Sequence, residues 1–309
     1  MGDLITMDDL SNEEIMQILD DAKILLPVAR GEIYLPLLQG KVLGNLFFEN
    51  STRTRMSFET AMKRLGGEVL NLSSIGSSVA KGETLYDTMQ MVDGYSDIAV
   101  IRHPNQGAAQ YSADAVSIPI LNAGDGAGNH PTQTMLDLFT IREAHGSLEG
   151  LNVMMVGDLR YGRTTHSLSH ALVRFGAKLT LVSPKSLKMP SEIVSDLKSH
   201  GGDIDETEDM SSSIDSADVI YMTRIQKERF PDEEEYTKVA GIYKLNANDL
   251  EGVRSEMIVM HPLPRVNELH ASVDSTKHAK YFQQAFNGVP TRMALLCRGL
   301  GIKVPRKVK

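Results

Sequence analysis

The sequence predicts an α/β fold of two doubly wound domains, each a parallel sheet flanked by helices, with the active site in the interdomain crevice. Three observations carry this. Short apolar runs alternate with amphipathic helical stretches along nearly the whole chain, and repeated β–α–β units give parallel strands covered by helices on both faces. The 309 residues correspond to two domains at roughly 150 residues each. Polar and cationic segments follow at least five of the expected strands, at the end where such sheets gather their ligands.

In the first series, residues 42–48 read as a buried strand. Residues 55–65 read as a helix, with Phe58, Ala61, Met62 and Leu65 at i, i+3, i+4 and i+7. Gly66-Gly67 stops that helix, and 68–72 begins the next strand. A helix over 84–95, a strand over 98–101, a helix over 107–115 and a strand over 118–121 follow. A longer helix begins near His130-Pro131 and carries Leu136, Leu138, Phe139 and Ile141 as far as Glu143. Pro131 suits its first turn, where the missing N–H has no intrahelical partner to lose. Residues 146–150 read as a hinge. The second series has strands over 153–156, 179–182, 219–222 and 257–260, with helices over 164–175, 191–199, 211–216 and 233–239 between them. The apolar stretch 291–300 belongs to a C-terminal helix within 286–309 that returns to the first domain. The expected domains are 1–143 with 286–309 packed back on it, and 144–285.

Composition narrows the function. Hydrophobic residues make up 41% and charged residues 23%, the balance of a soluble globular protein. Lys+Arg 32 against Asp+Glu 40 leaves a net charge of −8, which argues against a nucleic-acid binder that works by neutralising backbone phosphates. A small anionic substrate is compatible with it, because a local cluster of arginines dominates its own cleft. No apolar run approaches the ~20 residues of a membrane span. The start, Met1-Gly2-Asp3-Leu4, lacks a signal-peptide pattern, and Met7 stands where myristoylation wants Ser or Thr. A cytoplasmic protein is expected. The single cysteine, Cys297, excludes an internal disulfide and a Cys-rich zinc site, and neither a metal nor a cofactor is expected.

Six segments carry the chemistry. Ser51-Thr52-Arg53-Thr54-Arg55 lies between a strand and a helix start, where unpaired N–H groups and the helix dipole attract anions. Its hydroxyls and guanidiniums suit phosphate oxygens. A plain N-cap is the alternative, but a cap needs neither Arg53 nor Arg55. Arg102-His103-Pro104 follows the strand 98–101, as a ligand contact or a surface arginine alike. His130-Pro131-Thr132-Gln133 opens a helix after the glycine-rich 124–129, and its imidazole is either structural or a donor to a carbonyl oxygen that gains charge. Gly157–Thr164 fits a P-loop spacing with Arg163 in place of lysine, and a forked arginine suits a carboxylate better than a nucleotide's phosphates. Residues 223–229 follow the strand 219–222, and His261-Pro262-Leu263-Pro264-Arg265 follows 257–260. The prolines there leave carbonyl groups to accept from a ligand amide, or serve a rigid loop. Two anion-binding groups in two domains, without a Ser–His–Asp triad, point to a transferase acting between two small anions.

The residues also resemble a known family. Residues 47–59, Phe-Phe-Glu-Asn-Ser-Thr-Arg-Thr-Arg-Met-Ser-Phe-Glu, are similar to the carbamoyl-phosphate signature of the aspartate and ornithine carbamoyltransferases, which also share His130-Pro131-Thr132-Gln133. Residues 221–229 and 261–265 resemble the aspartate branch, since ornithine enzymes are expected to carry cysteine where Pro262 stands. The resemblance covers nearly the whole chain. It implies transfer of the carbamoyl group of carbamoyl phosphate to L-aspartate, an early step of de novo pyrimidine biosynthesis. It also implies that Ser51, Thr52, Arg53, Thr54 and Arg102 hold the phosphate, while Thr54, Arg102 and His130 face the carbonyl oxygen. Gln133 and the backbone carbonyls of Leu263 and Pro264 would accept from the carbamoyl NH2. Arg163 would bind the α-carboxylate of aspartate, Arg224 and Gln226 its side-chain carboxylate. Ser77 and Lys81 would come from a neighbouring subunit in a homotrimer with shared active sites, and Lys81 would also reach aspartate. Some members of the family pair with a separate zinc-containing regulatory chain. Rival readings are a relative using ornithine or an acetylated acceptor, a non-catalytic scaffold, and a P-loop nucleotide module.

Overall fold

The apolar runs of the first series become β1 (Val42–Phe47), β2 (Glu68–Ser73), β3 (Ile98–His103) and β4 (Ile120–Asp125) in the computed structural model. It describes residues 2–73, 82–126, 128–225, 230 and 233–307. These strands are all parallel, in the order β2-β1-β3-β4. The second series forms β5 (Asn152–Val156), β6 (Lys178–Val182), β7 (Asp203–Thr207), β8 (Val219–Met222) and β9 (Ile258–Met260). That sheet is parallel too, in the order β7-β6-β5-β8-β9. The helices are α1 (Asn12–Arg30), α2 (Thr52–Arg64), α3 (Leu85–Tyr95), α4 (Ala108–Ala115), α5 (Pro131–His145), α6 (Arg163–Val173), α7 (Ser191–Ser199), α8 (Glu233–Val239) and α9 (Tyr281–Gly299). The chain divides into one unit of Met1–Phe139 with Phe286–Lys309 and another of Thr140–Ala285.

Each sheet reverses direction once. From β1 the chain moves outward to β2 and returns to place β3 on the other side of β1, so loops leaving β1 and β3 diverge. From β5 it moves to β6 and β7 and returns to place β8 beside β5. These two switch points, at the carboxyl ends of the strands, are where doubly wound sheets bind ligands.

The opposite ends of the same strand pairs share one anchor. Asp97, just before β3, donates from its N–H to Val42 O at 2.9 Å and accepts from Val42 N at 2.8 Å. Asp218, just before β8, does the same with Asn152, at 2.9 and 2.8 Å. Each carboxylate also takes a cation, Lys41 Nζ on Asp97 and Arg254 Nη1 on Asp218, both at 2.7 Å.

Several elements differ from expectation. α1 is not read from periodicity, although Ser11 and Glu14 form a reciprocal capping box at its start. β7 reads Asp-Ile-Asp-Glu-Thr and buries only Ile204, which suffices for a strand at a sheet edge. Residues 211–216 form only a 3-10 turn over Ile214–Ser216. α9 starts at Tyr281, ahead of the expected 286, and ends at Gly299 with Pro290 inside it. Among the described residues, no helix is long and apolar enough to cross a membrane.

Asp97→Ala removes the acceptor of a part-buried backbone N–H and is expected to lower the unfolding free energy by about 1–3 kcal/mol. Lys41→Met, which breaks only a half-exposed ion pair, should cost about 0–1 kcal/mol. Urea unfolding of both variants checks the ranking.

Candidate active site

At the first switch point α2 begins at Thr52, earlier than the expected Arg55. The periodic apolar residues report only the buried face, and the polar first turn precedes them. The correction places Thr52, Arg53 and Thr54 in the first turn of α2, whose N–H groups have no intrahelical acceptor. Ser51 is the N-cap residue, yet its side chain makes no capping hydrogen bond, and no acidic residue stands in the first turn. The plain-cap reading of this segment therefore loses its support: the hydroxyl that would cap does not. Thr54 is buried, while Thr52 and Arg53 are exposed.

Arg102 lies in β3 opposite Phe47 of β1. Its Nη2 donates to Glu49 Oε1 at 2.9 Å and its Nη1 to Ala123 O at 3.3 Å. With its side chain only 12% exposed, it is not an ordinary surface arginine. One arm of the fork already holds a carboxylate oxygen, the kind of acceptor a phosphate would offer. His130 is buried immediately before α5, with Nδ1 3.5 Å from Thr132 Oγ1. Gln133 Nε2 donates to Asp137 Oδ1 at 2.9 Å, so the amide oxygen is the end turned away from Asp137.

At the second switch point, Gly157 ends β5 with φ +122°, and a Cβ there would lie 2.3 Å from Thr223 O. Only glycine lets the loops leaving β5 and β8 come this close. Thr223 Oγ1 accepts from Asp158 N at 3.1 Å and donates to Val156 O at 3.1 Å. Asp158, fully buried, accepts from Tyr161 N at 3.0 Å. Two backbone N–H groups of the P-loop-like segment are thus committed inside the protein, the reverse of a loop that presents its amides to phosphates. The nucleotide-module reading loses its basis. These bonds place Arg163 as the first residue of α6 and Arg224 directly after β8. Beside Arg224 is a cavity of about 210 Å³ lined by Gly157, Thr223, Arg224, Tyr236, Tyr243 and Glu268, among others.

The loop after β9 is held from within. His261 N donates to Gln284 Oε1 at 2.8 Å, and Leu263 N donates to His261 Nδ1 at 2.8 Å. Since Nδ1 accepts, Nε2 carries the proton and donates to Glu268 Oε1 at 2.7 Å. These bonds fix Leu263 at φ +53°, unusual for a residue with a side chain, ahead of a cis Leu263–Pro264 peptide. Burial alone would raise the Glu268 carboxyl, but donation from His261 and from the backbone holds it below its ordinary 4.5. Arg265 is tied to Asp274, with Nη2 donating to Oδ2 at 2.7 Å, and serves the loop itself.

Ser77, Lys81 and Gln226 lie outside the described residues. Of the other expected residues, Ser51, Thr52, Arg53, Thr54, Arg102, His130 and Gln133 belong to one unit, and Arg163, Arg224, Leu263 and Pro264 to the other. Sequence reasoning assigned no role to Glu49, Asp137, Glu268 or Arg292. Glu49 stands inside the run 47–59, and Asp137 follows Gln133 at the helical i, i+4 spacing, so both had a signal. Among the described residues, no group of three or more His, Cys, Asp or Glu could hold a metal ion.

Comparison with known proteins agrees with two anion-binding units. Residues 2–143 match the aspartate/ornithine carbamoyltransferase carbamoyl-P binding domain, and residues 149–298 the Asp/Orn binding domain. The chain belongs to the aspartate/ornithine carbamoyltransferase family. It is 56% identical to the aspartate carbamoyltransferase catalytic subunit of Archaeoglobus fulgidus, over 96% of this chain and 98% of that one. The catalytic subunit of M. jannaschii aspartate transcarbamoylase superposes with a TM-score of 0.91 at 50% identity, covering 97% of this chain and 98% of that one. The Trypanosoma cruzi aspartate transcarbamoylase in complex with N-(phosphonacetyl)-L-aspartic acid superposes at 0.90 with 40% identity, over 96% and 94% of the two chains.

Gly157→Ala should lower stability by about 1–3 kcal/mol through its backbone conformation and also displace Thr223, which thermal melts and a crystal structure of the variant would register. Glu268, with its folded value depressed, contributes stability that is complete above pH 4.5 and lost as pH falls through the lower folded value. The melting-temperature gap between the native chain and Glu268→Gln should therefore narrow on acidification below 4.5; a gap that stays constant contradicts the assignment.

Proposed function

We propose that the two anion-binding groups act as one catalytic centre and transfer the carbamoyl group of carbamoyl phosphate to L-aspartate, giving N-carbamoyl-L-aspartate and phosphate. The observation that carries the reading is chemical division between the switch points. One offers a helix N-terminus with Ser51, Thr52, Arg53 and Thr54 beside Arg102, suited to a phosphate. The other offers Arg163 after a loop whose own amides are committed and Arg224 after β8, suited to carboxylates.

The aspartate amino group, as free base, attacks the carbamoyl carbon, and a C–N bond forms as the carbonyl becomes an oxyanion. Arg102, His130 and Thr54 donate to that oxygen, an effect worth ~2.7–4 kcal/mol per donor. Gln133 Oε1 and the carbonyls of Leu263 and Pro264 accept from the carbamoyl NH2. The C–O bond to phosphate then breaks, and phosphate oxygen takes the ammonium proton, so no protein nucleophile takes part. Arg163 holds the α-carboxylate, and Arg224 with Gln226 the side-chain carboxylate. The larger task is to hold two mutually repelling anions in attacking geometry, which positive charge from both units accomplishes. The cation Arg224 at the cavity favours the carboxylate of aspartate and disfavours the ammonium of ornithine.

Assembly and setting are part of the same reading. By family likeness Ser77 and Lys81 serve the site of a neighbouring subunit, Lys81 as a further contact for aspartate; such sharing needs at least two chains, and the working unit of the family is a homotrimer. The enzyme is cytoplasmic, serves an early step of de novo pyrimidine biosynthesis, uses no cofactor, and is of the kind that a separate zinc-containing regulatory chain can join.

Incubation with carbamoyl phosphate should carbamoylate aspartate and leave ornithine unchanged; the reverse preference would overturn the assignment. Arg53→Ala and Arg102→Ala should each lower kcat by about 10²–10³. Arg224→Ala should act mainly on the KM for aspartate, and steady-state kinetics separate these effects.

A further inference from the structure

We infer that Asp137 is a positioning residue that fixes which end of the Gln133 amide faces the substrate, and so selects a carbamoyl over an acetyl donor. The inference rests on the reading that Gln133 meets the carbamoyl group. A carboxylate is acceptor-only, so Asp137, fully buried and 2.9 Å from Gln133 Nε2, admits only the NH2 end of the amide. A flipped amide would bring two acceptors face to face. The oxygen is therefore presented on the other side, where it accepts from an N–H and gains nothing from a methyl group.

Arg292 supplies a buried cation in the same unit. It enters from α9, wholly enclosed, with its guanidinium carbon 4.9 Å from the centre of the Phe58 ring. Its Nη1 donates to Ser57 Oγ at 2.6 Å, and that hydroxyl donates to Thr54 O at 2.9 Å. One cation thus braces the first turn of α2, and the Asp137 carboxylate lies within its electrostatic reach. Burial pushes the guanidinium down to about 9, with Asp137 raising it and Arg102 lowering it, so it stays charged at neutral pH. The chain makes room for it, since a Cβ on Gly288 would lie 2.3 Å from Arg292 Nη1. A buried charge is a weak source of stability, and apolar residues of similar volume often do as well. Bracing Thr54 through Ser57 accounts for its presence.

Carbamoyl and acetyl phosphate differ by NH2 against CH3, and acetyl transfer to aspartate would give N-acetylaspartate and phosphate. The test compares the two donors, with acetyl phosphate as substrate or, where it is not consumed, as competitive inhibitor. In Asp137→Asn the new carboxamide can turn its NH2 toward Gln133 and permit the flip. The carbamoyl-to-acetyl preference should then fall by about tenfold or more, the scale of one lost hydrogen bond. The double variant Gln133→Glu with Asp137→Asn restores an acceptor facing the substrate. Its preference should recover, although a carboxylate beside the phosphate raises KM for both donors. A purely structural role would weaken both donors in parallel and show no recovery. An unchanged preference in Asp137→Asn, or a double variant that fails to regain it, overturns the inference. If Asp137→Asn does not fold, the double variant decides alone by the same criterion. A native chain that carbamoylates aspartate, with preference indifferent to these changes, refutes only this inference; a native chain that does not carbamoylate it refutes the function.

Discussion

Direction is the constraint on which the structure depends. Every paired strand in each sheet is parallel, so every loop that follows a strand leaves by the same edge. Chain reversal beside β1 and beside β5 then separates two of those loops and leaves a gap that a helix start can face. Arg102 lies at the end of β3 and the first turn of α2 follows β1, while Arg163 follows β5 and Arg224 follows β8. Residues far apart in sequence need no further device to be brought together within each unit.

Concentrating positive charge in this way carries an electrostatic cost, and carboxylates offset it. Arg102 has Glu49 at 2.9 Å and Arg292 has Asp137 in its field, while the neutral His261 imidazole donates to Glu268 at 2.7 Å. A buried charge persists when paired and hydrogen-bonded. At Arg102 the partner is also a competitor, because an incoming oxyanion must share or displace Glu49. At His261 the pairing has a different outcome: the tautomer is fixed, and with it the backbone of Leu263.

Much of this was legible in the sequence. β1, β3, β5 and β8 read as apolar runs because strands buried on both faces need little else. The segments after them stood out because cations and hydroxyls are unusual immediately after such runs. The start of α2 was misplaced because periodicity registers Phe58 and Ala61 and is silent about a polar first turn. β7 went unread because an edge strand needs only Ile204 inside. Arg292 gives no signal at all: a lone arginine in an apolar helix looks like any surface-facing residue until Ser57, 235 positions earlier, is found against it. Ser77, Lys81 and Gln226 rest on family likeness.

Asp97 and Asp218 each fasten together the starts of the two strands whose far ends part around a ligand site. A six-residue strand such as β1 is ~20 Å long, so these clamps act at a distance from the chemistry they frame. Like the pivot of a pair of tongs, a fixed origin sets how widely the tips open. Selection for rigidity or for heat resistance can therefore work on the pivot end and leave the groups that grip the metabolites untouched.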